Sequence, residues 1–288
     1  MPDDLNPPSP PARVYYSTGR MLGVEDFQAD QDYHRGRLAR TLMQLSGTGT
    51  VSGMLVQTDG NADPLKLEIQ VTAGVAIDRV GRILEVPRMV CIVLNDWLNQ
   101  YVQAWQQQQA GLSPGTTAIA DPNTAIHDAK NLMVDVFATF AGCTQGVTPC
   151  FASQDDYDAT DAFSANRLLD SFSMQLVLRT DANPKTPIDP WASLGPNQPP
   201  LATLQQSILA GALAPQGAVV EYPPTFSDTT GVFLARILVP ATAGSAGNPP
   251  TWTLTGFGNA AIDNSKRLFV IPSSILARWN GLGSGTES

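Results

Sequence analysis

Short runs in which every second residue is apolar are the feature of this sequence that most restricts its fold. Strict alternation of this kind is typical of a β-strand with one buried face. The clearest run lies within residues 65–71, directly after the turn sequence DGNADP, and residues 50–58 precede that turn. We therefore predict a hairpin from these two stretches. The alternating apolar residues are Leu65, Leu67, Ile69 and Val71.

The next stretch, AGVAIDRVGRILEVP, follows the same pattern. It predicts a short strand around residues 75–77, a turn at 78–81 and a second strand at 82–86. Residues 14–90 as a whole therefore predict a helix that leads into a compact set of short antiparallel strands.

The helix of this unit lies in the sequence GRMLGVEDFQADQDYHRGRLARTL, residues 19–42. Asp26 or Glu25 is expected near its amino end, where a carboxylate interacts favourably with the helix dipole. Gly47 and Gly49 are expected to end it. Its periodic positions cover about one third of the circumference, which predicts an amphipathic helix with one buried face. The residues of that predicted face are Phe27, Gln31, His34, Leu38, Leu42 and Leu45.

The rest of the chain predicts one further long helix and several strands. The helix would begin at a cap residue, Asn95 or Asp96, and end at Gly111. Residues 132–140 and 172–179 predict strands joined by a long loop. A short helix is expected after Pro200, with Leu201, Leu204 and Ile208 on one side. Further strands are predicted in the sequences GVFLARILVP, TWTLTGF and RLFVIPSSILARWN, the last of which also predicts a helical turn.

The predicted fold class is α+β and β-rich. An amino-terminal amphipathic helix would pack on a small antiparallel β sheet or barrel, and a second β-rich region with short helices would follow. The predicted division has a flexible proline-rich arm at 1–13, a helix plus antiparallel β domain at 14–183, a proline-rich linker at 184–200 and a carboxyl-terminal β-rich region at 201–288.

The charge balance argues against one class of partner. The 288 residues include 17 Lys and Arg against 26 Asp and Glu, a net charge of −9, with no basic run that would neutralise a line of phosphates. We therefore expect no nucleic-acid partner. The acidic, proline-rich amino terminus lacks the pattern of a signal peptide, and no window reaches the ~18 apolar residues of a membrane span. We expect no membrane insertion and a location in the cytoplasm.

The cysteines do not form the pattern of a secreted disulfide framework. There are three, Cys91, Cys143 and Cys150, in a long chain. Cys143 and Cys150 could pair across a loop, but free buried thiols are the favoured interpretation.

Two acidic groups could bind a metal ion. Asp26, Asp30 and His34 fall in one row of the first helix at i, i+4 and i+8. Such rows recur on any charged helix, and aspartates in solvent or paired with arginine are the favoured interpretation. A second cluster could bind calcium, although it lacks the glycine and the terminal glutamate of an EF-hand loop. Its residues are Asp155, Asp156, Asp158 and Asp161.

Two other patterns have a functional and a structural interpretation. The glycine-rich residues 47–53 follow a helix and precede a strand, the reverse of a phosphate-binding loop, so backbone freedom at a tight joint is favoured. Trp97, Tyr101 and Trp105 could form a platform for sugars, but a helical aromatic stripe is more often part of a core.

Catalytic motifs are absent from the sequence. Only His34 and His127 are present, and there is no G-x-S-x-G, H-E-x-x-H or C-x-x-C motif. We therefore expect a protein that is not an enzyme, without catalytic residues, cofactor or bound metal.

Three motifs follow one another in the amino-terminal third. A helix with D-F, Q-x-Y and trailing arginines leads into a G-x-G-x-V-x-G strand, and a hairpin with G-x-A-I-D-x-x-G-R follows. Met54 stands where that strand usually has leucine. The matching residues are Leu22, Asp26, Phe27, Gln31, Tyr33 and Arg37, then Gly47, Gly49, Val51, Gly53 and Val56, then Gly74, Ala76, Ile77, Asp78, Gly81, Arg82, Ile83 and Val86.

Taken in this order, the three motifs resemble proteins of contractile phage tails and related contractile injection systems. This resemblance implies a structural subunit of a phage-tail-like particle, at the baseplate or at the fibre or spike periphery. It would act through assembly interfaces with other tail, baseplate or fibre subunits, and as a homo-oligomer or in a symmetric ring. The alternative from the residues themselves is a carbohydrate- or cell-surface-binding module that uses Trp97 or Trp252. A hydrolase with an acidic pair is the third hypothesis.

Overall fold

The computed structural model describes most of the chain. The described residues are 13–111, 121, 126–127, 131–146, 148–149, 163–164, 166–179, 230–243, 252–273 and 276, with the backbone alone at 126–127, 148–149, 163–164 and 243. Several predictions lie outside them: the proline-rich arm up to residue 12, Cys150, the acidic cluster at 155–161, the linker at 184–200 and the short helix at 201–208.

The predicted α+β, β-rich class is confirmed. Two helices are described, α1 (Val24–Ser46) and α2 (Leu94–Gln109), together with a 3-10 turn at Asn259–Ala261. The strands are β1 (Gly49–Gly53), β2 (Val56–Thr58), β3 (Glu68–Val71), β4 (Gly74–Ile77), β5 (Ile83–Val86), β6 (Val90–Val93), β7 (Ile126–His127), β8 (Asn131–Gln145), β9 (Thr148–Pro149), β10 (Phe163–Ser164), β11 (Arg167–Arg179), β12 (Val232–Ala243), β13 (Trp252–Leu254) and β14 (Ile262–Asp263).

Two small sheets follow α1, with strand orders β1-β4-β5 and β2-β3-β6. The predicted hairpins are confirmed as β2–β3 and β4–β5, both antiparallel. Leu67, Ile69 and Val71 are fully buried, as alternation predicts, whereas Leu65 is exposed. Strand β6, which pairs with β3, has no counterpart among the sequence predictions.

The stretch 50–58, predicted as one strand, is two strands in two different sheets. The break falls at Gly53 and Met54, whose φ angles are 63° and 52°. A Cβ at Gly53 would lie 2.0 Å from the carbonyl oxygen of Ala73, so glycine is required at this close approach. Met54 is buried completely, which ties the joint to the core.

The larger sheet has the order β11-β8-β12-β13, with β14 paired to β12 and β7 to β8. β8 and β11 pair without interruption. The paired residues run from Met133 opposite Arg179 to Gln145 opposite Arg167. The predicted loop between the two strands is therefore wrong at both ends. Its first residues, AGCTQ, lack apolar alternation, and their strand conformation depends on backbone hydrogen bonds to a distant segment, which periodicity does not detect.

Helix α1 begins and ends as predicted, but it turns a different face to the body. Asp26 accepts a hydrogen bond from the N–H of Gly23 (3.0 Å), and Gly47, with φ of 75°, ends the helix. Of its 23 residues only Gly36 and Ala39 are buried. The predicted buried face is exposed except for the half-buried Leu42. Small side chains at 36 and 39 allow closer backbone packing than the bulky face would, and closeness of approach is not encoded in hydrophobic periodicity.

Helix α2 starts two or three residues earlier than predicted, with Val93 and not Asn95 or Asp96 at the cap position. The reason is that β6 runs directly into the helix. The N–H of Leu94 donates to the carbonyl oxygen of Leu67 (3.0 Å), and the Leu94 side chain is buried. The helix ends before Gly111, as predicted.

Residues 256–270 form hydrogen bonds with both small sheets. The side-chain amide of Asn264 forms two hydrogen bonds with the backbone of Val56 (3.1 and 2.9 Å), as a neighbouring strand would. Thr50 exchanges backbone bonds with Leu268 and Val270. The sequence RLFVIP, predicted as a strand, forms only an isolated parallel bridge between Phe269 and Thr50.

One hydrophobic core joins the small sheets, α2 and the larger sheet. Strand β12, from the predicted carboxyl-terminal region, pairs with β8, from the predicted first domain. The strands on the two sides of the predicted linker thus share one sheet.

Candidate functional site

The turn between β4 and β5 is built around the buried carboxylate of Asp78. One carboxylate oxygen accepts the N–H groups of Val80 (3.0 Å) and Arg82 (2.8 Å), and the other accepts Nε of Arg82 (2.6 Å). These bonds satisfy the donors of a tight turn and hold the guanidinium beside it. In the motif A-I-D-x-x-G-R, the acid and the arginine are therefore structural partners.

The same turn anchors α1 and the larger sheet. Arg82 donates to the hydroxyl of Thr230 (3.0 Å) and lies 4.7 Å from the centroid of the Phe140 ring. Gly81 has a φ of +89°, and a Cβ there would lie 1.9 Å from the carbonyl oxygen of Ala39. Glycine at 81 therefore lets the backbone of α1 touch the hairpin.

Burial raises the pKa of Asp78, and the neighbouring Arg82 opposes that shift. A carboxyl whose pKa is raised in the folded state adds stability below its unfolded pKa, about 3.9, and this contribution is lost as pH rises through the folded pKa. We expect the free energy of unfolding of the wild type, minus that of Asp78→Asn, to be larger at about pH 3 than at about pH 7. Urea titrations of both proteins at these pH values would measure this difference in the free energy of unfolding. A difference that grows with rising pH would contradict the expected result.

The predicted row Asp26, Asp30 and His34 is occupied by local contacts. Asp26 pairs with Arg20 at 2.9 Å and caps the helix, while Asp30 lies 3.8 Å from Nε2 of His34. The pKa of Tyr16 is raised, by desolvation and by the charge of Asp30 and a hydrogen bond to it. Within the described ranges, no group of three histidine, cysteine or acidic residues could hold a metal ion.

The most buried ion pair of the described residues was not predicted. Arg236 on β12 donates two hydrogen bonds to the fully buried Asp135 on β8 (2.7 and 3.0 Å), and Nε of Arg179 on β11 lies 3.8 Å from Asp135. This group links three strands of the larger sheet. The available signal was one acid in LMVDVFATF and one arginine in GVFLARILVP, because a lone charge in an apolar strand indicates a buried partner.

The aromatic row of α2 packs against the core. Trp105 is buried, and Trp97 and Tyr101 are half-buried against the hydrophobic core with ring centroids 5.8 Å apart. A stacking platform needs an exposed ring face, so this arrangement fits the structural interpretation. Cys91 and Cys143 are free but exposed, which corrects the prediction of buried thiols. Cys143 lies in the strand extension that was predicted as a loop.

The outward side of α1 is the strongest candidate for a functional surface. Val24, Phe27, Leu38 and Leu45 are exposed on it, and Leu45 retains 82% of its accessible area. A groove of about 140 Å³ lies between α1 and the β4–β5 turn. The groove is lined by Arg35, Leu38, Ala39, Leu42, Gly81, Arg82, Ile83, Phe140 and Asp170. A row of exposed apolar side chains on one rigid helix is typical of a protein–protein interface.

Comparison with known proteins gives a distant match. No protein-family model and no curated protein matches the sequence. Among solved structures, the chain is similar to the crystal structure of TssK, with 12% sequence identity and a TM-score of 0.33. The match covers 85% of this chain and 41% of that one, so the chain spans less than half the length of that protein. Among the described residues, neither helix is long and apolar enough to cross a bilayer.

Proposed function

We propose that the chain is a structural subunit of a phage-tail-like contractile particle, at the baseplate or at the fibre or spike periphery. It acts through assembly interfaces with other tail, baseplate or fibre subunits. It is present in several symmetric copies, without nucleic acid or membrane insertion. In this proposal the protein is in the bacterial cytoplasm during assembly and then becomes part of the particle.

One observation carries this proposal: α1 is a 23-residue helix that buries only Gly36 and Ala39 against its own chain. A long helix gains most of its stability from packing of one face. A helix that leaves most of its larger apolar side chains in solvent therefore has a face available for another subunit. The motifs that resemble proteins of contractile tails form α1 and the hairpin that anchors it, so the resemblance and the exposed surface coincide.

The residues of these motifs have structural tasks, which also supports assembly over catalysis. Asp78 and Arg82 bind each other, Gly81 provides the contact with α1, and Asp26 caps the helix. Asp26, Asp78 and Arg82 each hold an element in place.

The test is the composition of particles purified from the cell that encodes the chain. We expect mass spectrometry of pelleted, gradient-purified particles to find the chain at a constant ratio to the sheath and tube proteins. Deletion of its gene should leave particles that are incomplete at one end, or none, in electron micrographs. Complete particles that lack the chain would contradict the proposal. Re-expression of the wild type in the deletion strain is the control.

A further inference from the structure

We infer that the outward face of α1 binds the same helix of a second copy of this chain, side by side and antiparallel. This inference deepens the proposed function, on which it rests for the expectation of repeated copies. It names the partner and the residues that make the contact.

The face in question has the spacing of a coiled-coil seam. Positions alternate by three and four residues from 24 to 45, which is the a and d pattern of a heptad. We call the seven residues at these positions the α1 seam: Val24, Phe27, Gln31, His34, Leu38, Thr41 and Leu45. The side chains of all seven are exposed.

The body of the protein contacts mainly the opposite side of the helix, and of the seam residues only Leu38 lines the groove beside the β4–β5 turn. The buried residues Gly36 and Ala39 fall at heptad positions f and b, away from the α1 seam. A second helix can therefore lie along the seam while each body stays on the outer side of its own helix. The apolar seam residues are 54% to 82% exposed in the single chain, so contact with a second helix would remove a large apolar area from water.

The order of polar and apolar residues along the seam is compatible with an antiparallel pair. In antiparallel coiled coils, position a of one helix faces position d of the other. A register that centres the pair between residues 32 and 33 places Phe27 against Leu38 of the second copy. The same register places Gln31 against His34 of the second copy. Phe27 and Leu38 then form the apolar contacts, Val24 meets Thr41, and two hydrogen-bonding side chains meet at the centre, while Leu45 lies beyond the start of the second helix.

The charges along α1 favour the same direction. Glu25, Asp26, Asp30 and Asp32 lie in the amino-terminal half, and Arg35, Arg37 and Arg40 lie in the carboxyl-terminal half. An antiparallel pair brings each acidic half beside a basic half, whereas a parallel pair aligns like halves. Flanking the seam at position g, Asp30 then faces Arg37 of the second copy, and the contact occurs twice by symmetry.

Charge reversal at this contact tests the inference. Sedimentation velocity of the full chain should show a dimer that is weakened about tenfold or more by Phe27→Asp. Asp30→Arg and Arg37→Asp should each weaken it as well, and the double variant should regain affinity. Ala29→Asp, an exposed charge change at position f of the same helix, is the matched control and should leave the dimer unchanged. Circular dichroism of each variant checks that the helix is retained.

Cysteine cross-linking tests the direction independently. In a background with Cys91→Ser, Cys143→Ser and Cys150→Ser, a mixture of Phe27→Cys and Leu38→Cys chains should form a disulfide-linked dimer. Phe27→Cys alone should not, because residue 27 of the two copies would lie about 16 Å apart along an antiparallel pair. Cross-linking of Phe27→Cys alone would overturn the antiparallel arrangement. The antiparallel arrangement would also be overturned if Arg35→Asp, and not Arg37→Asp, restored the association of the Asp30→Arg chain.

The two proposals fail in distinguishable ways. A chain that is present in purified particles but stays monomeric, or whose association is unaffected by Phe27→Asp, would overturn the α1 pairing and leave the proposed function standing. A chain that dimerises through the α1 seam but is absent from the particles would overturn the proposed function and leave the α1 pairing standing.

Discussion

Gly81→Ala should destabilise the protein by about 2–5 kcal/mol. The glycine has a φ of +89°, and a Cβ there would lie 1.9 Å from the backbone oxygen of Ala39. Left-handed strain accounts for about 1–2 kcal/mol, and displacement of α1 from the hairpin for about 1–3 kcal/mol. The free energy of unfolding from urea titration, followed by circular dichroism, would measure this loss.

Gly60→Ala is the matched control for that measurement. Gly60 also has a positive φ, +69°, but nothing lies within 4 Å of the position of its Cβ. Gly60→Ala should therefore lower the free energy of unfolding only by the cost of left-handed backbone strain, about 1–2 kcal/mol. The difference between the two variants isolates the contact between α1 and the hairpin. Equal losses would contradict the close packing described here.

Asp135→Asn should cost about 3–5 kcal/mol, because it removes the negative charge that neutralises two arginines in the larger sheet. Asp135 is fully buried and accepts two hydrogen bonds from Arg236, while Arg179 lies 3.8 Å away. The amide has nearly the same shape as the carboxylate, so the loss reports charge and hydrogen bonding more than volume. The measurement is the urea midpoint and slope, compared with the wild type at neutral pH.

An exposed ion pair supplies the control for Asp135. Asp63 lies 3.8 Å from Lys66, and both side chains are exposed. Asp63→Asn removes the same charge but should change the free energy of unfolding by less than about 1 kcal/mol, because exposed pairs contribute little. A loss at Asp135 no larger than that at Asp63 would show that the buried group contributes no more than an exposed one.

Local patterns predicted the elements well wherever neighbouring residues decide the conformation. The alternation of Leu67, Ile69 and Val71, the turn at Asp78 and the glycine stop at Gly47 all appear in the structure as predicted. The motif residues that suggest a contractile-tail protein lie in this same part of the chain. They were readable because hairpins and helix ends are stabilised by bonds between residues a few positions apart.

Which distant segments pair with each other could not be predicted in the same way. The extension of β8 to Gln145 depends on β11, and the ion pair of Asp135 with Arg236 joins residues 101 positions apart. The charges of that pair were visible in apolar strands, but their partners were not. The division of residues 50–58 between two sheets likewise follows from contacts with segments on other strands.

Periodicity and turn residues act locally, so they were enough to predict α1 and the antiparallel hairpins that follow it. Which face of α1 meets the rest of the protein depends on contacts with segments distant in the chain. The face with the larger apolar side chains was expected inside, yet Gly36 and Ala39 are buried instead. The physical reason is that Gly81 admits the helix backbone at van der Waals distance, and only small residues fit such an approach. The larger side chains of the predicted face, apart from the half-buried Leu42, therefore remain on the outside.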